Sequence, residues 1–134
     1  MLIAVQTEGN KMSDEIAKLP PQVQERLLRL QQLQQTLQSV LSQKQQVDME
    51  KAEVEQTVAE LQKTADDAVI YKAVGSLLIK AEKAKITEEL VERKELLDTR
   101  STVLNRQEER LRSQAKEAQT KLQEDLRPVS PPSK

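Results

Sequence analysis

The chain has 134 residues, of which 37% are hydrophobic and 1% aromatic, thin material for one compact core. Leu, Val and Ile carry nearly all of the apolar surface and 32% of residues are charged, a composition that points to long helices and coiled coils. A net charge of −1, built from interspersed acids and bases, gives no electrostatic footprint for nucleic acid or an anionic membrane, and the absence of cysteine and histidine excludes disulfides, thiolate nucleophiles, imidazole acid-base chemistry and the usual zinc ligands.

Met1–Lys18 shows no sustained periodicity and contains Gly9-Asn10, so it is expected to be a disordered leader. Its apolar start, Leu2–Val5, is too short and lacks the basic flank of a secretory signal, and no other apolar run approaches a membrane span. A soluble cytoplasmic protein is expected. Met12, which precedes Ser13-Asp14-Glu15, is a second candidate translation start.

Pro20-Pro21 marks the entry to a first helix over Gln22–Lys63, because proline is tolerated in a first turn where its missing N–H would be unbonded anyway. A heptad repeat runs through it, with one row Val23, Leu30, Leu37, Lys44, Lys51, Val58 and the other Arg26, Leu33, Val40, Val47, Val54, Leu61. Only Arg26, Lys44 and Lys51 interrupt this seam. Gln31, Gln32, Gln34, Gln35, Gln38, Gln45 and Gln46 form a Gln-rich face that reads as solvated surface, the alternative being amides that contact partners without charge selectivity.

Between the helical patterns, Ala68–Ala81 reads as a β-hairpin. Val69–Val74 is dense in β-branched residues and holds the sole aromatic, Tyr71; Val74-Gly75-Ser76 supplies the turn and Leu77–Lys80 the returning strand. Val69, Tyr71 and Ala73 should face one way and Ile70, Lys72 and Val74 the other, so both faces carry apolar groups. A lone two-stranded hairpin is marginal in water and its edges invite another strand. Val69, Ile70, Tyr71, Val74, Gly75, Leu77, Leu78 and Ile79 are therefore the candidate oligomerisation element. The adjacent acids Asp66 and Asp67 have no third ligand or phosphate-binding loop beside them and read as ordinary residues closing a helix before a turn.

A second helix is expected over Lys85–Leu126, stopped where Pro128 restricts Arg127, with a start that no N-cap residue marks. One row is regular, Leu90, Leu97, Leu104, Leu111 and Ala118; the companion row, Ile86, Arg93, Arg100, Gln107 and Gln114, is poor. Folding the helices back antiparallel pairs Leu30 with Ala118, Leu37 with Leu111, Lys44 with Leu104, Lys51 with Leu97 and Val58 with Leu90, which centres the reversal on residue 74. Lys44 and Lys51 should snorkel their ammonium groups outward. The tail Pro128–Lys134 is rich in Pro and Ser and should be disordered.

The end of the arm away from the hairpin is the second candidate site. Leu27 and Leu28 are adjacent and off the main seam, so one partner helix does not bury both; Leu122 and Leu126 converge there from the other helix, and Val23 completes the set. Val23, Leu27, Leu28, Leu122 and Leu126 are the candidate apolar binding surface at this tip.

The run DDAVIYKAVGSLLIKA between coiled-coil arms, the Gln-rich LQQLQQTLQSVLSQK of the first arm, and EELVERKELL followed by RQEERLR in the second resemble beta-class prefoldin subunits, especially the archaeal form, over roughly Leu19–Leu126. The resemblance implies a mostly α fold, a long antiparallel coiled-coil hairpin whose central β-hairpin joins an intersubunit β-barrel platform within Leu19–Arg127. It implies a cochaperone without ATPase activity or cofactor: two alpha and four beta subunits form a hexamer whose coiled-coil tips hold unfolded proteins and pass them to a group II chaperonin. The competing reading is a structural tether, whose hairpin docks into a partner's sheet and whose tip only spaces two partners. No metal, nucleic-acid or membrane partner is expected.

Overall fold

The computed structural model describes residues 18–126; the expected leader, apart from Lys18, and the expected tail lie outside the described residues. The elements are α1 (Pro21–Gln62), β1 (Ile70–Val74), β2 (Leu77–Ala81) and α2 (Lys83–Leu126). Two long antiparallel helices thus flank a two-stranded antiparallel hairpin. The helix ends are set by local chemistry. Pro21 occupies the first helical position and the Pro20 carbonyl accepts from the Gln24 N–H at 3.0 Å, so proline's missing donor costs nothing there. α2 starts at Lys83, two residues before the expected Lys85, where the Glu82 carbonyl accepts from the Ile86 N–H at 3.1 Å.

The chain divides into two units. Val40–Glu108 holds the hairpin and the adjoining helix segments; Met1–Ser39 with Glu109–Lys134, described over 18–39 and 109–126, is called the tip below. In the hairpin unit, Val40, Val47 and Leu61 of α1 are buried, as are Leu97 and Leu104 of α2. In the tip, Val23, Leu30 and Leu122 form a buried cluster with Leu19, Leu27, Ala115 and Ala118 packed against it.

The companion row of α2 is not the one the leucine spacing suggests. Arg93, Arg100, Gln107 and Gln114 are exposed, whereas Ser101, Glu108 and Ala115 are partly covered and Leu122 is buried. The regular row of leucines is therefore followed four residues later, not three, by its partner row. That row uses small or paired side chains and so looks polar in sequence.

The three cations on the α1 seam do more than snorkel. Lys44 meets Glu108, Lys51 meets Asp98 at 2.9 Å and Arg26 meets Asp125, each an acid on α2. Asp98 beside Lys51 holds the ammonium pKa above its ordinary value, although partial desolvation works the other way. Solvent-screened ion pairs of this kind each contribute little, but a register slip would remove several at once.

Candidate functional site: an edge-open hairpin and a small open tip

The hairpin pairs Ile70 with Ala81, Tyr71 with Lys80, Lys72 with Ile79, Ala73 with Leu78 and Val74 with Leu77. Gly75 and Ser76 make a two-residue turn with φ +60° at Gly75 and no positive φ at Ser76, the sign pattern of a type II′ turn with glycine first. A Cβ at Gly75 would meet nothing, so the requirement for glycine there is conformational and not steric.

Opposite residues of an antiparallel pair share a face. One face carries Tyr71, Lys80, Ala73 and Leu78; the other carries Ile70, Ala81, Lys72, Ile79, Val74 and Leu77. Tyr71, Val74, Leu77, Leu78 and Ile79 are all exposed, Leu78 to 71%, so neither face is finished by the described residues. Val69, also exposed, lies just before β1 rather than in it. Only the paired Ile70 and Ala81 are half covered; Ile70 lines an apolar groove with Leu61, Ile86 and Leu90 where the hairpin meets the helices.

Two lysines fasten this junction. Lys83 donates to the Thr64 carbonyl at 2.7 Å and to Asp66 at 3.1 Å, placing a cation at the carbonyls that follow the end of α1. Lys72 of β1 donates to Glu89 of α2 at 2.8 Å, and this hydrogen bond holds the Glu89 carboxyl below its ordinary value. Asp66 therefore has a structural partner, and among the described residues no cluster of acids has the arrangement of a metal site.

At the tip the five named residues separate. Leu28 and Leu126 are open, 55% and 52% exposed. Leu27 is half buried against the cluster, and Val23 and Leu122 are buried within it. Val23 and Leu122 are thus seam residues in this structure, not open surface, because Leu122 ends the companion row that the sequence pattern hides. Leu19 is the residue the sequence reading left without a role. It packs on the same cluster from just before the helix, and Gln24 donates to its carbonyl at 2.8 Å. An apolar residue immediately ahead of a helix start is the available signal for such packing.

Residues 24–128 match the family model for prefoldin subunits. The chain is 47% identical over 113 residues to the prefoldin beta subunit of Archaeoglobus fulgidus, covering 84% of this chain and 97% of that one. The chain belongs to the prefoldin beta-subunit family. The Pyrococcus furiosus prefoldin beta subunit is 46% identical over 82% of this chain and 94% of its own length. The crystal structure of the prefoldin beta subunit from Thermococcus strain KS-1 superposes with a TM-score of 0.75 at 43% identity, covering 83% of this chain and 97% of that one. Prefoldin subunits are coiled-coil chaperone components and not enzymes. No helix among the described residues is long and apolar enough to cross a membrane.

Proposed function

We propose that the chain is the beta subunit of an ATP-independent holdase that works in the cytoplasm. Its hairpin joins those of other subunits in a shared sheet, in a hexamer of two alpha and four beta subunits. Its tips capture apolar segments of unfolded proteins and deliver them to a group II chaperonin. The observation that carries this reading is the hairpin: apolar side chains open on both faces of a two-stranded sheet whose outer strand edges are unpaired among the described residues. Such a sheet is unstable alone and is completed by further strands and a second layer.

The open leucines at the tip support the capture step. Burying one leucine against a client contributes roughly 1.5–3 kcal/mol, too little for one arm but enough when several arms of one assembly engage the same chain.

Two measurements test the proposal. Native mass measurement of the complex with its alpha partner should give two alpha to four beta subunits, and another ratio would contradict the assembly. Light scattering from a chemically unfolded client should fall when the complex is present without nucleotide. No suppression by an intact hexamer would favour the tether over the holdase.

A further inference from the structure

The match to the family model begins at residue 24, and the leader Met1–Lys18 precedes it. The leader contains Met1-Leu2-Ile3-Ala4-Val5, a short run of uncharged aliphatic side chains. It enters the described structure at Lys18 and Leu19, and Leu19 already packs on the tip cluster of Val23, Leu30 and Leu122. Leu28, one residue beyond the packed Leu27, and Leu126, four residues beyond the buried Leu122, are the large hydrophobic residues that remain open among the described residues of the tip.

We propose that the Met1–Val5 run docks on the open leucines of its own tip and occupies the client surface until a client displaces it. The inference rests on the tip being the capture site. The reach is sufficient: the residues between Val5 and Lys18 span up to about 40 Å when extended, while Leu28 lies about 10 Å along α1 from Pro21. The chemistry is that of a client, a short uncharged run of aliphatic side chains. The occupant need not bind tightly, because a short tether gives an effective concentration in the millimolar range. A run of millimolar intrinsic affinity would then fill much of the tip and lower apparent client affinity about two- to tenfold. Clients offering a longer apolar segment, or engaging several arms, would displace it, so the leader would set a threshold against weakly exposed native proteins.

The test uses the full chain assembled with its alpha partner. The sequence contains no cysteine, so Ala4→Cys offers a single labelling position for a nitroxide. With leucine methyl groups isotopically labelled, docking should broaden the Leu28 and Leu126 signals. Leu2→Ser, Ile3→Ser and Val5→Ser combined should restore them. Deleting Met1–Lys11, which leaves the packed Leu19 untouched, should lower the amount of complex needed to suppress client aggregation about two- to tenfold. Unbroadened methyl signals would overturn the proposal, as would equal suppression with and without the leader, or an intact mass showing that the cellular protein begins at Met12. If no form suppresses aggregation yet broadening persists and responds to the serine changes, the leader docks and it is the holdase reading that fails.

Discussion

In the hairpin, Tyr71, Val74, Leu77, Leu78 and Ile79 are open on a sheet with two bare edges; in the tip, Val23, Leu30 and Leu122 close on one another and leave Leu28 and Leu126 outside. Both regions carry exposed aliphatic side chains, but they leave different tasks unfinished. The hairpin lacks backbone partners as well as apolar cover, and the groups that satisfy both are further strands. The tip has its backbone bonded within two helices and lacks only side-chain cover. A surface of that kind accepts any apolar segment, weakly and without demanding a conformation. Assembly and capture thus differ in whether the backbone takes part.

The sharpest way to break this comparison is at the hairpin. Leu78→Asp should leave the isolated chain's helicity unchanged, because Leu78 is exposed there, yet place an unpaired charge inside the shared sheet at a cost of several kcal/mol per subunit. Light scattering should show the assembly falling to smaller species with little loss of helix.

Leu97→Ser should do the reverse. Leu97 is 0% exposed, and truncating such a leucine costs about 2–5 kcal/mol, so thermal melts by circular dichroism should shift down in the isolated chain and in the complex alike. Lys44→Glu should have a smaller effect, replacing a seam ion pair by repulsion from Glu108. A shift of about 1 kcal/mol that Glu108→Lys in the same chain reverses would show that the pair is coupled across the seam.

The smallest effect concerns the Lys72 contact to Glu89. Because the Glu89 carboxyl is held below its ordinary 4.5, this contact's contribution is present above that value and is lost as pH falls through the lowered one. In Lys72→Met, an NMR titration should find the Glu89 carboxyl moved back up toward 4.5, with no change in the rest of the arm.

The hairpin was legible because its signals are local: a β-branched run, a glycine that a reversal requires, and flanking helices of similar length. The α1 seam was legible for a similar reason, since the apolar period tolerates three interruptions. The α2 seam was hidden. Ser101 and Ala115 have too little apolar surface to register as a row, and Glu108 appears polar until Lys44 of α1 stands opposite it. That omission made Leu122 look like free tip surface when it is the last buried member of the row. Leu27 was split from Leu28 for a related reason, because adjacent side chains on a helix point about 100° apart and only packing decides which is covered. The start of α2 was obscure because a backbone carbonyl, with no Ser, Thr, Asp or Asn beside it, begins the helix.

The claim that capture resides in a small open surface, separable from assembly, is tested most directly by Leu28→Ser combined with Leu126→Ser in the assembled complex. Both residues are open in this structure, so helicity and complex size should match the wild type, while suppression of aggregation of a chemically unfolded client, followed by light scattering without nucleotide at equal concentrations, should fall severalfold. Undiminished suppression by a complex of verified size and helicity would contradict the account and return the tip to the role of a spacer.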